Sequence, residues 1–200
     1  MFHCFPKKIK NHGFTIVEML IGVMIFVIII TIVVRIFLSS FQGQRRFSAF
    51  QTVFEQSSYL MEYMSRSLRM AKKELSCSNK NNPSTCSCLK SSGYGYNYEL
   101  TRQGNGVKFI DSQNQCREFF LDQSLGRLKE VAGSQEQFLT GANTQVAAFN
   151  IRLFGESQND LLQPRLTFSL SLQTRSQKQE SQQTLRLQAT VSQRRIDVQY

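Results

Sequence analysis

Histidine is nearly absent from this chain of 200 residues. The two it has, His3 and His12, both precede Gly13. From Phe14 onward no imidazole is available as a general base, as the partner of a Ser or Cys nucleophile, or as a metal ligand. No spacing of Asp and Glu nominates a catalytic carboxylate pair in its place, so the sequence points to no catalytic residue, no cofactor and no metal. Proline is scarce as well: none occurs between Pro6 and Pro83, so no ring clash interrupts a helix there. Acids are outnumbered, 14 against 24 Lys and Arg, for a formal charge of +10 and a pI near 9.6. The bases are spread along the chain. A solvated, basic surface is the plainer reading and nucleic-acid contact the sharper one.

Polar residues are also missing from one long stretch. Between Phe14 and Val34 the only charge is Glu18. A helix of that length, at about 1.5 Å per residue, spans roughly 30 Å, the thickness of a bilayer core. A secretory signal has a shorter apolar region and a small-residue exit. Here Arg35 and the Phe-rich FLSSFQGQRRF follow instead, which favours a retained anchor. The basic KKIK ahead of the run predicts a single-pass protein with a cytoplasmic N-terminus and an exported C-terminal part. A carboxylate at the centre of a spanning helix costs about 2.5–3.5 kcal/mol on insertion scales, and less near the interface where Glu18 falls. Taken by itself, Glu18 is either a snorkelling acid or one that awaits a cation.

Gly13–Glu18 reads G-F-T-I-V-E, with a basic leader before it and an uncharged run after it. This resembles the N-terminal cleavage and methylation signal of type IV pilins and pseudopilins. The resemblance implies that a prepilin peptidase cuts between Gly13 and Phe14 on the cytoplasmic face, and that Phe14 becomes the N-methylated first residue. It also gives Glu18 a partner, because the new amine of Phe14 in one subunit would pair with the acid of its neighbour. A buried charge is costly alone and tolerable when paired, so such a pair would fix axial register. The family fold is α+β and lollipop-shaped, a long N-terminal helix packed on an antiparallel β-sheet.

On that template the chain divides into a cleaved leader (1–13), a transmembrane half-helix (14–38), an amphipathic half-helix (39–75), a Cys-rich loop (76–92) and an antiparallel sheet region (93–200). Phe47, Phe50, Phe54, Ser57, Met61, Met64, Leu68, Ala71 and Leu75 recur at steps of three and four, which predicts one buried face. Tyr94, Tyr96 and Tyr98 alternate as on one side of an extended segment. YELTRQGNGVKFI and REFFLDQSLGRLKEV read as hairpins turning at Gln103–Gly106 and Gln123–Gly126. VAAFNIRLF, RLTFSLSL and TLRLQATVSQ alternate with period two.

Of five cysteines, Cys4 lies in the leader, which leaves Cys77, Cys86, Cys88 and Cys116. An even set in an exported region predicts disulfides. Zinc binding would call for C-x-x-C spacing instead. Cys86 and Cys88 are too close to bridge well, so either Cys77–Cys86 with Cys88–Cys116, or Cys77–Cys88 with Cys86–Cys116, is expected.

The closing LQATVSQRRIDV is similar to the minor pilin W and pseudopilin J group, which implies a tip or priming subunit of a type IV pilus or a type II secretion filament. The partners implied are a prepilin peptidase and methyltransferase, other pilin subunits met through the N-terminal helix, an inner-membrane assembly platform and membrane lipid. The competing reading is a binding module for DNA uptake or surface adhesion, in which Arg45, Arg46, Arg194, Arg195 and the tyrosines contact nucleic acid.

Overall fold

The computed structural model describes residues 15–156, 162–175 and 184–194. The leader, Gly13, Phe14 and Arg195 therefore lie outside the described residues. The chain forms two compact units, residues 1–45 and 46–200. Helix α1 (Ile16–Arg69) supplies the described secondary structure of the first unit and continues into the second. Among the described residues eight strands follow: β1 (Tyr98–Thr101), β2 (Gly106–Ile110), β3 (Cys116–Asp122), β4 (Arg127–Ala132), β5 (Gln135–Phe138), β6 (Thr144–Phe154), β7 (Arg165–Thr174) and β8 (Thr184–Ser192). The protein is α+β, with one long helix and antiparallel sheet.

The sheet region is two sheets rather than one. β1 to β5 form a five-stranded meander in chain order, and β6, β7 and β8 form a three-stranded sheet. Both expected hairpins are present, with Tyr98 opposite Phe109 across the first and Asp122 opposite Arg127 across the second. Strand β5 had no apolar alternation to announce it, since its residues Gln-Glu-Gln-Phe are all exposed.

In the second unit one core joins the helix to both sheets. Val53, Leu60, Met64, Leu68 and Ala71 meet Phe109, Phe119 and Leu128 of the first sheet and Phe149, Leu166 and Phe168 of the second. The buried helix face is therefore rotated from the expected stripe. Phe47 and Phe54 are 62% and 52% exposed, whereas Val53 and Leu60 are sealed. The stripe from Phe47 to Leu75 averages 3.5 residues per turn. On a straight helix such a repeat slips by about 20° each heptad. The phenylalanines therefore emerge beside the buried face, while Ser57, Met64, Leu68 and Ala71 of the expected stripe are buried as predicted and Val53 and Leu60 join them.

The helix also stops at Arg69 rather than continuing to Leu75, because other donors and acceptors claim its last turn. The Tyr98 hydroxyl donates to Leu68 O (2.7 Å), Arg194 N–H to Arg69 O (2.9 Å) and the Gln193 amide to Ala71 O (2.7 Å). Lys72 N–H then bonds Ile110 O at the end of β2 (2.8 Å), and Leu75 is exposed. The tyrosines depart from expectation too. Gly93 and Gly95 take φ of 98° and 88°, so the chain turns there and only Tyr98 enters a strand. Tyr98 is buried, which raises its phenol pKa, and no shared tyrosine face forms.

Two buried carboxylates organise the polar interior. Glu130 accepts from the Tyr63 hydroxyl (2.9 Å), Arg117 Nη1 (3.0 Å) and Gln137 Nε2 (2.7 Å), while Arg117 Nε also holds Asp111 (2.7 Å). Burial, then the bond to Glu130, pushes the Tyr63 pKa up to about 12. Glu74 is held differently, by neutral donors. It accepts from the backbone N–H groups of Ser76 (2.8 Å), Cys88 (2.8 Å) and Leu89 (3.1 Å) and from the Ser87 hydroxyl. Burial works to raise its pKa, but these donors outweigh it and the value is lowered.

Two outcomes follow. Arg117→Met strands the buried charge of Glu130 and should cost about 3–5 kcal/mol in urea unfolding. For Glu74, a lowered folded pKa means its contribution is complete above the unfolded value of about 4.3 and disappears as pH falls through the folded one. Glu74→Gln should flatten the acid limb of the stability–pH curve while lowering stability near neutrality by about 2–3 kcal/mol.

Candidate functional site

The described start of α1 is built by its own first residues. Thr15 precedes the helix, its Oγ1 accepts Glu18 N–H (3.3 Å) and its carbonyl accepts Met19 N–H (3.2 Å). Thr15-Ile16-Val17-Glu18 thus has the spacing of a capping box, and the bond donated by the Glu18 backbone is formed. The carboxylate stands in the first turn, where the N-terminal end of the helix dipole favours negative charge. Glu18 therefore helps start the helix, and its carboxylate has no ion pair among the described residues. The T-x-x-E spacing was visible in the sequence but was masked by the stronger apolar pattern around it.

On both sides of Glu18 the helix of the first unit presents apolar side chains. Ile16, Leu20, Met24, Phe26, Val33, Ile36 and Phe37 are each more than half exposed. The most apolar window of α1 has a mean hydropathy of 3.0 and none of it is buried, so the helix is long and apolar enough to cross a membrane. Its polar interruptions are satisfied internally, as where Thr31 Oγ1 returns a hydrogen bond to Val27 O (2.8 Å). Gly22 lies one turn beyond Glu18 on the same side of the helix, with nothing within 4 Å of the space a Cβ would fill.

In the second unit the cysteines form two disulfides, Cys77–Cys86 and Cys88–Cys116. This is one of the two pairings left open by the spacing. Cys77 and Cys86 stand opposite each other as an isolated antiparallel bridge with Cα atoms 3.9 Å apart. Cys88 lies beside Leu89 and Ile110 in a small satellite core, and its bond to Cys116 ties the loop to the start of β3. The backbone donors that surround Glu74 belong to this same loop, so the disulfides and the buried carboxylate fix it together. Among the described residues no group of His, Cys, Asp or Glu is arranged to hold a metal ion.

The residues that suggested nucleic-acid contact are dispersed in role. The Arg45 guanidinium lies over the Phe41 ring (4.7 Å). Arg46 has interactions of its own. Arg194 uses its backbone N–H on the helix end. Lys80 covers Tyr94 (4.7 Å).

Residues 8–34 match the family model described as the prokaryotic N-terminal methylation motif. Neither the curated proteins nor the solved structures contain a match to this chain. The motif supports a type IV pilin-like protein, a structural subunit processed by prepilin peptidase and assembled with other pilins. Together with the apolar helix it is consistent with a membrane-anchored protein that is then exported.

Intact-mass analysis after alkylation should find no free thiol at Cys77, Cys86, Cys88 or Cys116 without reductant, and four with it. Replacing both Cys88 and Cys116 with Ser reopens a connection 28 residues long. That should cost about 3 kcal/mol of stability.

Proposed function

We propose that this chain is a minor pilin or pseudopilin that joins a type IV pilus or type II secretion filament as a tip or priming subunit. Prepilin peptidase cleaves it after Gly13, Phe14 is N-methylated, and Glu18 receives the amine of a neighbouring subunit's first residue. The subunit reaches the filament from the inner-membrane assembly platform. The observation that carries this reading is a lone carboxylate in the first turn of a helix whose most apolar stretch is not buried by any of the described residues.

The energetics favour assembly as the purpose of that arrangement. Once the helix leaves the bilayer, its aliphatic side chains must be covered by other helices, since exposure costs roughly 25 cal/mol per Å². An acid carried into that environment requires a cation, and cleavage creates one on the residue four positions before it. Gly22 leaves a notch on the same side, where a neighbouring helix can approach closely. A helical glycine in open space otherwise lowers helix stability by about 1 kcal/mol relative to alanine. The similarity of the closing LQATVSQRRIDV to the minor pilin W and pseudopilin J group supports the tip or priming position over that of the bulk subunit.

Two measurements test this. N-terminal sequencing and mass of the membrane-extracted protein should give a chain beginning at N-methyl-Phe14. Glu18→Val should be cleaved normally yet enter filaments at least tenfold less than wild type. Equal incorporation would remove the ion pair from the proposal.

A further inference from the structure

The outward face of the three-stranded sheet has a composition unlike the rest of the protein. Its register places Asn150, Ser169 and Gln188 in one row across β6, β7 and β8, with Arg152, Thr167 and Thr190 in the next. Phe154, Arg165 and Ser192 form a third row, and Ala148, Ser171 and Arg186 a fourth. In all thirty residues of these strands the only charged side chains are Arg152, Arg165 and Arg186, and no acid is present. Between Gln137 and Arg194 the described residues include one acid, Glu156, against five arginines. None of the three strand arginines forms an ion pair among the described residues.

Part of this face is the floor of a cleft of about 690 Å³, walled by Gln103 and Gly104 of the β1–β2 turn. Asn150, Arg152, Phe154, Thr167, Ser169 and Gln188 line it. The wall is held firmly. Arg102 lies over the Phe120 ring (3.6 Å) and donates to Glu118 (3.2 Å), and Asn105 O accepts Leu121 N–H (3.0 Å). Arg102 and Gln103 both hold left-handed φ, 51° and 57°. A non-glycine residue keeps that conformation only when its surroundings impose it. The wall is therefore set before any ligand arrives, which lowers the ordering cost of binding.

We infer that this cleft binds an acidic polysaccharide, a chain of sugars bearing carboxylates. The Arg152 guanidinium takes one carboxylate through paired N–H donors. The amides of Asn150, Gln188 and Gln103 and the hydroxyls of Thr167 and Ser169 are short donors and acceptors suited to sugar hydroxyls. Phe154, 57% exposed, offers a ring for the apolar side of a sugar. Arg165 and Arg186 extend the positive, acid-free field along the sheet for further units of the polymer. A single-stranded nucleic acid fits less well, because it needs successive aromatic platforms for its bases and cations along its backbone. This face has one ring, and one cation inside the cleft. The site lies wholly in the second unit and does not depend on cleavage or filament assembly.

The test is titration of the full-length chain in detergent micelles with polygalacturonate, with dextran and oligothymidylate as the other arms. Polygalacturonate should bind in a salt-dependent way, with affinity falling at least tenfold in Arg152→Gln and about fivefold in Phe154→Ala. Lys90→Gln, the same charge change on an exposed loop residue, should have no more than a twofold effect. Unchanged thermal melting would show that the variants fold. Absence of polygalacturonate binding overturns the proposal. Equal loss in Arg152→Gln and Lys90→Gln overturns it by showing bulk charge alone. Dextran binding as tightly would mean that no carboxylate is read, and tighter Arg152-dependent binding of oligothymidylate would give the cleft to nucleic acid instead.

Discussion

A helix that ends inside a protein leaves its last carbonyl oxygens without partners, and each must be met by a donor from elsewhere. Here Leu68 O, Arg69 O and the carbonyl of Ala71 just beyond are met by Tyr98 from the first sheet and by Gln193 and Arg194 from the end of β8. The donors come from opposite ends of the sheet region. Docking of both sheets on the helix is thus tied to one small set of backbone atoms. The apolar core that includes Leu68 and Met64 also contains Phe119 of the first sheet and Phe168 of the second.

The Cys-rich loop obeys a related rule. Glu74 lies five residues past the helix end at Arg69 and is sealed from solvent. Its charge is stabilised by backbone N–H groups that only a particular loop path can supply. The two disulfides limit the paths that loop can take, and the carboxylate selects among them. This division explains why a segment rich in Ser and Asn, with little apolar content of its own, has a defined conformation.

Much of this was legible in the sequence. The G-F-T-I-V-E signal, the apolar run with Glu18, the hairpins at Gln103–Gly106 and Gln123–Gly126 and the later alternating strands all rest on local patterns. What was not legible depended on distant residues. The helix stop at Arg69 is set by Tyr98, Gln193 and Ile110, far along the chain. The buried face was misread because a 3.5-residue repeat was laid on a straight helix, which put Phe47 and Phe54 in the core in place of Val53 and Leu60. The tyrosine row failed because the segment through Gly95 was read as extended when Gly93 and Gly95 turn the chain. The outward face of β6, β7 and β8 needed strand register before its arginines could be placed on one side. Gly13 and Phe14 lie outside the described residues, so the processing site rests on its motif.

The order of the strands along the chain has a consequence for how the protein comes to be folded. The five-stranded meander is made of neighbours joined by short turns, and such local pairing forms early and quickly. The helix face cannot be closed by that sheet alone, because Phe149, Leu166, Phe168 and Val191 are also part of its cover, and they come from the last third of the chain. A second unit that crossed a membrane helix first would hold Leu60, Met64 and Leu68 uncovered on one side until β8 arrived. For that interval the unit is a half-built core with a sticky face, and the speed of translocation, rather than final stability, decides how long the exposure lasts.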